Sequence, residues 1–138
     1  MQTKIKNIIA SIFEEIVSWR EHLHAHPELS FKEENTAKFV SSKLKEFGIS
    51  QPYRMAKTGV VALIEGRNPG SRCIALRADL DALPISEANE VSYKSKVDGL
   101  MHACGHDVHT ACLLGAAKVL KSLSNEFDGT IKLIFQPG

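Results

Sequence analysis

Cys73-Ile74-Ala75-Leu76-Arg77-Ala78-Asp79 is the stretch on which the fold turns. It is short and mostly apolar, it follows the turn-rich Arg67-Asn68-Pro69-Gly70-Ser71, and it reads as a buried strand ending at a carboxylate. Before that turn, Gly59-Val60-Val61-Ala62-Leu63-Ile64-Glu65-Gly66 reads as a second strand. After it, residues 80–104 are loop-like, with Pro84 and Gly99. Residues 110–123 are dense in Ala, Leu and Gly and read as a helix buried on more than one side. Residues 130–135 close as a strand. Strand, buried helix, strand predicts an α/β fold whose mixed, largely parallel sheet is covered by helices. Such sheets gather ligands at the carboxyl ends of their strands. Asp79 and Gln136 lie at that edge, so the two positions belong to one site.

Upstream, Ile8, Ile12, Ile16, Trp19 and Leu23 recur at helical spacing within residues 5–24, and Pro27 marks the end. Ala37, Val40, Leu44 and Phe47 mark a second helix over 31–47, stopped by Gly48. A chain of 138 residues is one domain at most. With 43% hydrophobic and 24% charged residues, a net charge of +1 and dispersed Lys and Arg, nothing points to nucleic acid or an anionic membrane as partner. No apolar run reaches the roughly 18 residues a bilayer requires. The N-terminal segment carries Glu14 and Glu15 and lacks the continuous apolar stretch of a signal peptide. Cys73, Cys104 and Cys112 are an odd, sparse set that fits a reducing cytoplasm better than a disulfide framework.

The chemistry concentrates in Met101-His102-Ala103-Cys104-Gly105-His106-Asp107-Val108-His109. Imidazole, thiolate and carboxylate are the side chains that bind Zn, Ni, Co or Mn. A thiolate and an imidazole flanking Gly105 can reach one ion, or two neighbouring ions, if the backbone turns sharply there. Three other readings compete. A buried structural cysteine among surface histidines explains Cys104 alone but not the crowding around it. A closed structural zinc site needs four protein ligands, usually with paired cysteines, and the cluster has one. A Cys104 nucleophile with His109 as base leaves His106, Asp79 and Asp81 without a role. An open metal centre accounts for most of these residues.

Asp79 and Asp81 straddle the strand end two residues apart, so in extended chain they share a face. Each could orient a metal-bound histidine or polarise water; each could equally cap a turn or pair with Arg77. His22, His24 and His26 fit a structural or substrate-side role better than ligation, because Pro27 interrupts the helix beside them.

Four stretches together resemble a known group: residues 23–31 (Leu-His-Ala-His-Pro-Glu-Leu-Ser-Phe), 76–84, 101–109 and 134–138 (Ile-Phe-Gln-Pro-Gly). The chain is similar to the metal-dependent amidohydrolases of the M20 peptidase superfamily, in the branch of hippurate hydrolases, auxin-conjugate hydrolases and N-acetyl-diaminopimelate deacetylases. The resemblance implies that residues 1–138 are the N-terminal part of a Zn-peptidase-like catalytic domain, without the smaller lid domain used in dimer contacts and without the C-terminal part. It implies Cys104 and His106 as metal ligands and Asp79 as the acidic catalytic residue, with Arg77 where other branches carry a histidine. It further implies two divalent transition-metal ions (Zn, Mn, Ni or Co), an N-acyl amino acid or small peptide as substrate, and a homo-oligomeric parent. The general-base glutamate and a further glutamate ligand are expected just after the Gln-Pro stretch, so residues 1–138 alone are expected to bind metal weakly and hydrolyse nothing. A metal-binding or interaction module without catalysis is the alternative.

Overall fold

A computed structural model describes residues 1–138. Helix α1 (Gln2–Ala25) and helix α2 (Glu34–Glu46) precede strands β1 (Tyr53–Met55), β2 (Gly59–Glu65) and β3 (Cys73–Asp79). Helix α3 (His106–Ser122), a 3-10 turn (Ser124–Glu126) and strand β4 (Thr130–Gln136) complete the chain.

The helix ends follow local chemistry. Helix α2 starts at Glu34 rather than at residue 31, because Phe31 adopts a left-handed φ of 59° that no helix continues. At its other end Gly48, with φ 76°, lets the chain turn back as expected. The Ile49 N–H then reaches Leu44 O at 3.0 Å and the Gly48 N–H reaches Lys45 O at 2.9 Å. Both are the carbonyl bonds of a Schellman end, and Leu44 and Ile49 are both in the core.

The four strands run in the order β1-β2-β4-β3. The sheet is mixed and helix-covered, as expected, but it is not largely parallel: only β3 and β4 are parallel, while β1–β2 and β2–β4 are antiparallel. The reason is that β4 inserts between β2 and β3. The parallel pair is joined through α3, the crossover that parallel strands require. That insertion also corrects the reading of β3 as buried, because an edge strand is covered on one side only. Cys73, Ile74 and Ala75 are exposed and only Ala78 is buried. The short edge strand β1 had no signature in the sequence strong enough to predict it.

Register explains the core. Val60, Phe135 and Ala78 form one row across the sheet, and Ala62, Leu133 and Leu76 form the next. These side chains face Trp19 of α1, Ala37, Val40 and Leu44 of α2, and Leu113, Leu114 and Ala117 of α3 in one cluster. A fully buried Leu, Val or Phe here stabilises the fold by about 1.5–3 kcal/mol relative to exposure. Helices α1 and α3 approach closely at Gly115, where a Cβ would stand 2.6 Å from Ile16 Cδ1.

The long segment between β3 and α3 is pinned rather than loose. Leu83 and Met101 exchange two backbone hydrogen bonds, each of 3.0 Å, and the Lys96 N–H bonds to Ala25 O at 2.9 Å. Within it the Glu87 side chain, 2% exposed, faces His24 Nε2 at 3.0 Å and accepts the Ser95 N–H at 2.6 Å. Burial raises the Glu87 pKa, but the Ser95 N–H, His24 and Asn89 more than reverse this and bring it down to about 2.

Two outcomes follow from this packing. Gly115→Val forces a branched side chain into Ile16 and should cost about 1–3 kcal/mol in urea unfolding; unchanged stability would show that the α1–α3 contact has slack. The Glu87 carboxyl is depressed below its ordinary 4.5, so its contribution is complete above about pH 4.5 and is lost as pH falls toward about 2. The stability gap between the protein and Glu87→Gln, measured by unfolding across that window, should therefore shrink on acidification. A gap that does not change with pH would contradict the anchor.

Candidate metal centre

Helix α3 begins at His106, four residues before the predicted start, and this decides which side chains meet. Gly105 sits at the N-cap with φ 88°, the sharp turn expected of it. The first helical turn therefore holds residues 106–109, and His106 and His109 stand at i and i+3, on one helix face. The Thr110 hydroxyl donates to Asp79 O at 2.8 Å, tying this turn to the end of β3.

Asp79, His106 and His109 converge there, each offering one ligand atom, all within 4.8 Å of one another. Asp79 Oδ2 lies 3.9 Å from His106 Nε2 and 3.7 Å from His109 Nδ1. These separations are too long for hydrogen bonds. They match donor atoms facing a common ion at about 2.0–2.2 Å each. The other oxygen, Asp79 Oδ1, pairs with Arg77 Nη2 at 2.5 Å. Arg77 Nε also donates to Gln136 Oε1 at 2.6 Å, so Asp79 and Gln136 do share one edge, opposite each other in the parallel ladder.

Asp81 completes the orientation of His106. Its Oδ1 lies 2.9 Å and its carbonyl oxygen 3.0 Å from His106 Nδ1. One imidazole is thus held between two carboxylates, Nδ1 toward Asp81 and Nε2 toward Asp79. A histidine whose outer nitrogen donates to a carboxylate has its tautomer and ring plane set for ligation by the inner one. Of the alternatives open in the sequence, Asp79 therefore combines pairing to Arg77 with a place in the cluster, and Asp81 orients the ring.

The remaining residues of the ligand-rich run are dispersed. Cys104 is exposed, and the convergent group contains His106 without it. Asp107 is buried, with Oδ2 2.8 Å from His24 Nδ1 and 2.9 Å from Arg20 Nε, so it anchors α3 to α1. An acid in the first turn also suits the helix dipole. His102 is buried, and that burial lowers its pKa to about 4, leaving the ring neutral at neutral pH. His24 is a structural bridge, one ring nitrogen against Asp107 and the other against Glu87. His26 Nδ1 bonds to His22 O, and His22 stacks on Phe39. These two histidines line a cavity of about 590 Å³ with Pro27, Leu29 and Phe39 that none of Asp79, Asp81, His106 or His109 enters.

The donor set is chemically suited to divalent transition ions, because two imidazoles and a carboxylate are borderline-to-hard ligands. The sequence places His109 in the ligand-rich run, but the resemblance assigned only Cys104 and His106 as ligands. The signal for His109 was the i, i+3 spacing from His106, which becomes visible only once the helix start is placed at Gly105 rather than after His109.

The chain is 50% identical over 133 residues to an N-acyl-L-amino acid amidohydrolase of Geobacillus stearothermophilus, covering 96% of this chain and 36% of that protein. It is 47% identical to thermostable carboxypeptidase 2 of Saccharolobus solfataricus, over 97% of this chain and 34% of that protein. Among solved structures, the YXEP protein of Bacillus subtilis, described as a dinuclear metal-binding peptidase of the M20 family, superposes with a TM-score of 0.88 at 45% identity. That match covers 94% of this chain and 36% of the other. The chain thus spans about a third of the length of the curated relatives it matches. Residues 75–138 match the family described as Peptidase family M20/M25/M40, and the relatives align along nearly all of this chain, so the chain is similar to members of that peptidase family.

Proposed function

We propose that this chain supplies part of a metal-dependent amidohydrolase that cleaves the amide bond of N-acyl amino acids or small peptides. The observation that carries the reading is the convergence of Asp79, His106 and His109 on one point at the carboxyl edge of β3. The names of the relatives supply the substrate class: one is an N-acyl-L-amino acid amidohydrolase and another a carboxypeptidase. The dispersed charge and sparse cysteines support a cytoplasmic enzyme with a small-molecule substrate and no nucleic-acid or membrane partner. A homo-oligomeric parent rests on the family resemblance alone.

We assign His106 and Cys104 as ligands of a two-ion centre, with His109 as a further donor and Asp79 as the catalytic carboxylate beside them. Cys104 enters on its donor chemistry and on the turn at Gly105, which leaves its thiol exposed two residues from His106. When bound, divalent ions supply Lewis acidity, bringing the pKa of water toward neutrality and offsetting charge that develops at the amide oxygen. The protein's own part is positional. Arg77 and the strand register hold Asp79 at the edge, and Asp81 holds the His106 ring so that Nε2 faces inward.

The same geometry supports the view that these residues alone do not catalyse. Asp79 divides its oxygens between Arg77 and the histidine pair, while Asp81 is committed to His106 and to the Ser30 hydroxyl. Neither carboxylate stands free as a general base. The proposed reading therefore gives Asp79 and Asp81 metal-side roles and assigns the general base to neither.

The experiment is metal analysis with N-acyl-amino-acid hydrolysis on the full-length protein and its variants. Cys104→Ser should lose most bound metal and activity, since an alcohol is a far poorer ligand than a thiolate; undiminished metal content would remove Cys104 from the centre. Asp79→Asn should lower kcat/KM by about 10²-fold or more while leaving Tm nearly unchanged. A parallel collapse in Tm would make Asp79 a structural partner of Arg77 instead.

A further inference from the structure

The turn between α1 and α2 carries two polar side chains that the proposed centre does not use. The Ser30 hydroxyl donates to Asp81 Oδ2 at 2.9 Å, the same carboxylate whose Oδ1 lies 2.9 Å from His106 Nδ1. Three residues on, Glu33 is fully buried, at 0% exposure. No Lys, Arg or His forms an ion pair with it. Its two oxygens are instead divided: Oε2 accepts from the Thr58 hydroxyl, and Oε1 accepts the Gly138 N–H at 3.0 Å. A buried carboxylate without a cation is costly unless both oxygens are hydrogen-bonded. Glu33 meets that condition only because the chain leaving β4 passes it with a free N–H.

One turn therefore grips both strand exits at the site, Asp81 after β3 and Gly138 after β4. We infer that Ser30 and Glu33 are positioning residues for the metal centre. Ser30 fixes the carboxylate that fixes His106, and Glu33 fixes the path of the chain beside it. Neither touches an ion or substrate; both act through Asp81 and the Gly138 backbone. The inference rests on the metal-centre reading above.

The test is Zn affinity of the full-length protein, by competition with a chromophoric chelator, together with the visible spectrum of its Co(II) form. Ser30→Ala should weaken Zn binding about tenfold, the low end of losses on removing outer partners of a ligating histidine. It should alter the Co(II) bands and leave Tm unchanged, because the lost bond is exposed. Ser30→Thr, which keeps the hydroxyl, should restore both. Glu33→Gln should bind normally, its amide oxygen accepting from Gly138 and its NH₂ meeting Thr58, whereas Glu33→Leu should weaken binding. If Glu33→Leu does not fold, the Ser30 variants decide. Parent-like Zn affinity and Co(II) bands in Ser30→Ala, in a protein that does bind metal, would overturn the inference. A parent that binds no metal would instead overturn the reading beneath it.

Discussion

A single imidazole ring, His106, clamped between two carboxylates is the constraint on which the site depends. Asp81 takes Nδ1 at 2.9 Å while Asp79 faces Nε2 at 3.9 Å, so flipping the ring would give up the hydrogen bond to Asp81. One carboxylate ends β3 and the other lies two residues past it, and the ring comes from the first turn of α3. The bond from the Thr110 hydroxyl to Asp79 O stitches those two ends together. The parallel β3–β4 ladder adds Gln136 and Arg77 to the same edge. Side chains distant in sequence are thus fixed by one ladder, one helix start and one hydroxyl.

Beneath this edge lies a second polar layer with a different purpose. Asp107, Arg20, His24 and Glu87 form a largely buried polar chain linking α3, α1 and the long segment before α3. That layer commits Asp107 of the ligand-rich run, and His24 before Pro27, to fixing backbone. Without it the segment over 80–104 would have only a few backbone bonds to hold residues 101–105 beneath the helix start. The site is therefore two tiers: an outer group facing a common point, and an inner polar network that holds the backbone beneath it.

Much of the architecture was legible because it depends on local pattern. The bounds of β3, the helical stripe through Trp19 and the stop at Gly48 all follow from periodicity or from the conformational freedom of one glycine. The sheet's balance of parallel and antiparallel pairing was not legible. Whether β4 lies beside β3 alone or slips between β2 and β3 is decided by which apolar rows pair, and those rows are equally apolar either way. Nor was the exact start of α3. Residues 106–109 are polar, so the hydrophobic period begins only after them, and the helix appeared to start late. That shift concealed the alignment of His109 with His106. It also hid that Asp107 points inward to Arg20 and His24, which no pattern of neighbours could show.

The proposed centre would hold divalent metal on side chains that already converge, Asp79, His106 and His109. The most direct measurement is elemental analysis of the full-length protein purified without chelators, paired with hydrolysis of an N-acyl amino acid before and after exhaustive chelation. The expected result is two divalent ions per chain, with activity that disappears on their removal and returns on adding metal back. A metal-free protein that still cleaves its substrate would contradict it.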